Sequence, residues 1–186
     1  MQTQVQSAFL PLQRMRMLLA LGIFLCLLTA GCGFKMRGVT PLPFETMYTN
    51  IPQNSAFGSR IIRAIRASSP STVITQDESL ANAKLIQLGN ERTRREVSLD
   101  AQGKVEEYEL GLVFTFTLTD GQGNELIPAS RLAATRQLPY SDDDSAAKAE
   151  ESLKLYEDME KSIADSLIRR ITSPEVINAY RAPATQ

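Results

Sequence analysis

The chain has 186 residues, 43% hydrophobic and 22% charged, with a formal net charge of −1, a composition that suits a folded globular domain and excludes a strongly basic nucleic-acid binder. It contains no histidine and only two cysteines, Cys26 and Cys32, so Ser-His-Asp triads, Cys-His pairs and histidine metal sites are excluded.

The N-terminus accounts for both cysteines. Arg14 and Arg16 form a positive segment, Met17 to Leu28 is apolar apart from Gly22, and Thr29-Ala30-Gly31 supplies small residues before Cys32. This is the layout of a secretory leader, and the apolar run is short for a bilayer span. Residues 1–31 are read as a removed signal that takes Cys26 with it, with Met15 or Met17 as the translation start. The boundary resembles the bacterial lipoprotein signal, in which the new N-terminal cysteine, here Cys32, is acylated; Thr29 stands where leucine is usual. The resemblance implies anchoring through acyl chains and, with Gly33 rather than aspartate, the outer membrane. The alternative is an ordinary cleaved leader with a free thiol beyond it.

Loss of Arg14 and Arg16 leaves 18 of the 20 basic residues against all 21 acidic ones, a net charge of about −3 for residues 32–186. That length is one domain's worth. With its remaining thiol acylated, the mature chain forms no disulfide and depends on its core for stability.

Residues 32–44 read as anchor and tether, with Pro41 and Pro43 keeping "GVTPLPF" extended. A single domain follows over 45–173. "ETMYTNI" reads as a first strand with Tyr48 and Ile51 inward. Asn54 or Ser55 caps a helix whose Ile61, Ile62 and Ile65 share one side while Arg60, Arg63 and Arg66 recur on another, closed by Pro70. "STVIT" is a short strand and residues 77–82 a connection.

Three long strands come next. "AKLIQLGNERTRREVSL" leads through "DAQGK" into "YELGLVFTFTLTD", whose even residues Tyr108 to Leu118 are apolar and whose odd ones are small or polar. "DGQGN" then turns into a strand ending at Leu138. Together they form an antiparallel meander. The helix from "SDDDSAAK" to "LIRRIT" carries aspartates at its positive end, arginines at its negative end and a stripe of Leu153, Tyr156, Met159, Ile163, Leu167 and Ile171. Residues 174–186 read as a C-terminal tail. The order predicts an α+β two-layer sandwich, a mostly antiparallel sheet with two helices on one face.

No catalytic constellation emerges. Consecutive Asp142, Asp143 and Asp144 read as a solvated helix start rather than a metal site. "GQGNE" lacks the pattern of a nucleotide loop. Glu106, Glu107 and Glu109 do not share one face, and nothing polar is placed to tune them as an acid–base pair. The chain is read as non-enzymatic, without metal or cofactor. Arg92, Arg94 and Arg95 do cluster near the first hairpin, with Lys104 across the turn, and Arg92 and Arg94 share a face. Arginine forks recognise phosphate, so a phosphorylated ligand is one reading; the other is a solvated strand end interleaved with Glu91 and Glu96.

"LTAGCGFKMRG" is similar to the start of the LPS-assembly lipoproteins (LptE), and "SRIIRAIR", "GKVEEYEL", "NELIP", "AKAEE" and "ADSLIRRI" continue the resemblance in order through most of the mature chain. Such proteins look like α+β sandwiches seated in a large outer-membrane β-barrel (LptD-like) as the plug of a lipopolysaccharide translocon. The resemblance implies that the barrel, lipopolysaccharide and the outer membrane are the partners. It gives the basic residues a ligand: Arg92, Arg94, Arg95 and Lys104 at the hairpin, and Lys148 of "AKAEE", would contact the glycolipid. The polar outer side of the central strand suits a polar barrel lumen. A lipoprotein adapter of another envelope complex, without glycolipid binding, is the alternative.

Overall fold

Strict alternation in the central strand decides the layering. Leu110, Leu112, Phe114, Phe116 and Leu118 are each at most 1% exposed, and each such side chain contributes about 1.5–3 kcal/mol by leaving water. Their face therefore has to be covered, and helices cover it. The computed structural model describes residues 41–182; the segment read as a leader, Cys32 read as its acylation site, and the start of the expected tether lie outside the described residues.

The elements are β1 (Thr46–Thr49), α1 (Ala56–Ser68), β2 (Val73–Thr75), β3 (Ala83–Leu99), β4 (Val105–Asp120), β5 (Glu125–Pro139), α2 (Ser145–Ile171) and α3 (Pro174–Arg181), with single 3-10 turns at Glu78–Leu80 and Asp142–Asp144. The sheet order is β2-β1-β3-β4-β5. β3, β4 and β5 form the expected antiparallel meander. β1 is parallel to both β2 and β3, because α1 carries the chain back across the sheet between β1 and β2. The sheet is thus mixed, its long ladders antiparallel and its short ones parallel.

Phe57, Ile61 and Ile65 of α1, Met159 to Ile171 of α2 and Val176 of α3 join the inward residues of β4 in one hydrophobic cluster. The helices therefore share one face of the sheet, giving an α+β two-layer sandwich. Among the described residues the cluster runs from Leu42 to Val176, and Val39–Gln186 is one compact unit, so a chain beginning at Val39 keeps every residue of this cluster. Among the described residues, no helix is long and apolar enough to cross a membrane.

Several expectations are corrected. In β1, Met47 and Thr49 point inward and Tyr48 does not, because the register with Ala83 and Leu85 sets which side faces α1. Leu42 and Phe44, read as tether, are buried. The Leu42 amide donates to Ser69 Oγ at 3.1 Å, and Thr72 Oγ1 donates to the Phe44 carbonyl at 2.9 Å. Pro174–Arg181, read as tail, forms a third helix with Val176 and Ile177 buried and Tyr180 edge-on to Phe44 at 5.0 Å. Leu153 is exposed, because the first turns of α2 run past the region where the stripe meets the core.

One irregularity positions the candidate site. Gln87 pairs with Phe116 and Gly89 with Thr115, so Leu88 is an extra residue, exposed at 54%. Such a bulge reverses the parity of a strand. Before it, odd-numbered Ala83 and Leu85 face the helices; beyond it, even-numbered Asn90, Arg92 and Arg94 do, opposite Phe114, Leu112 and Leu110.

Candidate functional site

The hairpin of β3 and β4 closes at Asp100–Lys104 by a compact turn. Asp100 Oδ1 accepts from the Gln102 and Lys104 amides at 2.9 and 2.8 Å, and Gly103 takes φ +80°, a conformation only glycine adopts without strain. The turn is polar and exposed, and it places Lys104 at the free end of the hairpin.

Arg92 and Arg94 both face the helix layer, as strand alternation predicts, yet their surroundings differ. Arg92 Nη2 donates to Glu160 Oε1 at 2.7 Å; the glutamate is 5% exposed and the arginine 50%. The guanidinium also lies 4.7 Å from the ring centre of Tyr156, whose hydroxyl donates to the Thr93 carbonyl at 2.9 Å. Glu160 and Tyr156, one turn apart, thus pin α2 to β3 at adjacent residues.

Arg94 has no ion-pair partner among the described residues. Its guanidinium lies 3.5 Å from the ring centre of Tyr108 and 5.5 Å from that of Tyr140, two rings that meet edge-on at 5.1 Å. Tyr140 is set there by its amide, which donates to the Glu106 carbonyl at 2.7 Å. Stacking holds a guanidinium plane through its face and leaves the N–H edge for an acceptor.

The remaining predicted residues are dispersed around this end. Arg95 points to the opposite face and pairs with Glu109 at 2.8 Å, exposed at 69%, where screening leaves such a pair little net energy. Lys148 lies in the first turns of α2 and pairs with Glu151 at 2.8 Å. It precedes Tyr156 by two helical turns on the same side, about 12 Å along the axis, and so lies toward the hairpin end from the Arg92 pin. The structure gathers Arg92, Arg94 and Lys148 on the helix side, sets Arg95 behind them and Lys104 beyond.

Sequence reasoning missed Glu160 and the Tyr108–Tyr140 pair. The signal for Glu160 was a carboxylate between Met159 and Ile163 on the apolar side of a helix; a buried acid needs a partner, and a half-exposed arginine supplies it. Asp144 caps α2 without a side-chain hydrogen bond. Among the described residues, no three acidic or cysteine side chains form a metal-binding group. A groove of 730 Å³ at the other end of the sheet is lined by Asp120, Gln122, Asn124, Glu125 and Tyr180 among others; with two carboxylates and no cation, it does not suit an anionic ligand.

A family model described as lipopolysaccharide-assembly, LptE, matches residues 44–171. The LPS-assembly lipoprotein LptE of Pectobacterium atrosepticum is 26% identical over 149 residues, 78% of this chain and 79% of that protein. Among solved structures, lipoprotein B from Nitrosomonas europaea is 32% identical, with a TM-score of 0.63 over 75% of this chain and 90% of that one. The rare lipoprotein B from Shewanella oneidensis, 21% identical, shares the fold with a TM-score of 0.59 over 70% of this chain and 95% of that one.

Proposed function

The chain belongs to the LptE lipopolysaccharide-assembly family, and from that membership we propose that it is a lipoprotein of the outer membrane, anchored at Cys32, that binds lipopolysaccharide and plugs the export barrel. The observation that carries glycolipid binding is Arg94, stacked on Tyr108 and Tyr140 with no carboxylate partner among the described residues. A phosphate needs a fixed cationic fork that is not already neutralised, and Arg94 offers one. Lys148 supplies a second cation on the same side, exchanging Glu151 for a ligand oxygen. Lys104 and Arg95 flank them, while Arg92 chiefly holds the helix. No catalytic residue or cofactor is required.

The LptD-like barrel is the proposed partner of the domain as a whole. The sheet face away from the helices supports this reading: Thr93, Arg95, Glu109, Thr115, Arg131, Thr135 and Gln137 share it with the small or apolar Gly111, Val113 and Ala133, a mixture that suits contact with a polar lumen.

The test is lipopolysaccharide binding by the chain beginning at Val39, compared with Arg94→Glu/Lys148→Glu at low and high salt. Expected is binding that weakens with salt and falls at least tenfold in the folded double variant. Undiminished binding by that variant overturns the assignment of these residues, and no binding by the parent overturns the glycolipid role.

A further inference from the structure

The two edges of the sheet differ in length. β2, with 3 residues, closes one side, and β5, with 15, closes the other. The Tyr140 amide donates to the Glu106 carbonyl, which makes Glu106 with Tyr140 a hydrogen-bonded pair. In an antiparallel ladder such pairs alternate with pairs whose backbone groups point away from each other. Over residues 130–139 the register with β4 holds without a shift, so the even-numbered residues of β5 bond to β4. Arg131, Ala133, Thr135 and Gln137 therefore turn their amides and carbonyls outward. Pro139, which has no amide hydrogen, falls in the same outward set.

A long open edge is a template for pairing, and folded proteins blunt it with short length, prolines, bulges or charge. In β5 the prolines stand outside this run, at Pro128 and Pro139, and residues 131–137 continue unbulged for about 20 Å. No further strand lies beyond them among the described residues. The charge they carry has one sign, since Arg131 and Arg136 occur with no acid in residues 126–139. Neither arginine is in an ion pair among the described residues; Arg136 Nη1 instead donates to the Thr135 carbonyl, on the edge itself, at 2.8 Å. A second copy of this edge would set arginines against arginines, whereas a strand bearing carboxylates complements both.

We propose that the 131–137 edge of β5 takes up an extended acidic segment of the enclosing barrel chain as a sixth strand of the sheet. The inference rests on the plug reading above and states how the plug is held. A closed barrel wall has all its strands paired and no edge to offer, so the added strand is a loop or terminal segment of that chain reaching into the lumen. Backbone hydrogen bonds give such an addition its affinity and side chains its specificity. Arg131 lies opposite Thr115 on the outer face and Arg136 opposite Leu110 on the helix side, so the carboxylates that meet them stand on opposite faces of the added strand.

The experiment uses the full chain, produced with its LptD-like barrel in outer membranes and purified as the complex, beside the isolated chain beginning at Val39. Amide exchange is run on both and read residue by residue after transfer to an aprotic solvent. In the complex the amides of Arg131, Ala133, Thr135 and Gln137 should gain protection of at least about tenfold over the isolated chain. The Ile74 amide is the control for enclosure alone: its neighbour Val73 donates to the Glu45 carbonyl, so Ile74 points outward at the opposite edge and should gain none. Ala133→Pro removes one outward amide and leaves the ladder to β4 intact, as an edge position allows. Co-expressed with an equal amount of tagged parent, it should be outcompeted for the barrel on the order of tenfold. Arg131→Glu/Arg136→Glu should be outcompeted likewise and Arg131→Gln/Arg136→Gln less so, with melting curves confirming that the variants fold. Unchanged exchange at the four amides in a complex that does form overturns the inference and leaves the plug reading standing, as does an equal gain at Ile74 or equal competition by the folded variants. No complex with the parent chain overturns both. Slow exchange of the four amides in an isolated chain that sediments as a dimer would give the edge to a second copy and equally overturn the inference.

Discussion

Arg92→Met and Glu160→Gln should not cost the same, although they break one ion pair. Met keeps the stem of Arg92 against α2 but leaves the Glu160 carboxylate, 5% exposed, without its described partner. An uncompensated buried charge costs 3–5 kcal/mol when both partners are buried; because Arg92 is half-exposed and water reaches the site, about 2–3 kcal/mol is the expectation. Glu160→Gln removes charge while keeping an acceptor for Arg92, whose guanidinium can also return to water, so about 1 kcal/mol is expected. Arg92→Met/Glu160→Leu replaces the pair by apolar side chains and should recover most of the larger loss. Urea melts of the chain beginning at Val39 measure all three, and heat melts should show shifts of about 2–4 °C per kcal/mol. If Glu160→Gln is as damaging as Arg92→Met, or the double variant is worse than both, Arg92 is not neutralising a buried acid. It would then be as available for phosphate as Arg94.

Deleting residues 174–186 removes the buried side chains of Val176 and Ile177 and uncovers Phe44 beneath Tyr180. A loss of about 3 kcal/mol or more is expected, read by urea melts; an unchanged midpoint would return this segment to the status of a tail. The turn at Asp120–Asn124 supplies a pH prediction. Burial tends to raise the Asp120 pKa, but hydrogen bonds from the Asn124 side chain and from the Asn124, Gln122 and Gly123 amides outweigh it, holding the carboxyl below 3.8. Since the folded pKa is depressed, the stabilisation is present above the unfolded value and is lost as pH falls through the folded one. Protection of the Gln122 and Asn124 amides, their exchange relative to the intrinsic rate at each pH, should therefore fall as pH drops below about 3.8 in the parent. In Asp120→Asn protection should be lower at neutral pH and lack this transition; an unchanged profile refutes the turn's dependence on that carboxylate.

The strands and helices were legible because their signals are local. Alternation from Tyr108 to Leu118, the turns "DAQGK" and "DGQGN", Ser55 before the isoleucines of α1 and the stripe of α2 need no knowledge of distant residues. The placing of Arg92 with Arg94 on one face likewise follows from strand geometry, whereas the leader and its cysteine fall outside the described residues. Which face that would be was not legible. It depends on Leu88 being squeezed out between the pairs Gln87–Phe116 and Gly89–Thr115, a result of two strands settling their hydrogen-bond register while each buries its apolar side. The distinction between Arg92 and Arg94 came from further away still. Glu160 lies 68 residues from Arg92, and Tyr140 reaches Arg94 only because β5 runs back beside β4. Sequence determined that cations gather at the hairpin; tertiary packing alone decided that Arg92 is paired with a buried acid while Arg94 is stacked on two rings, because neutralisation depends on what approaches within a few ångströms.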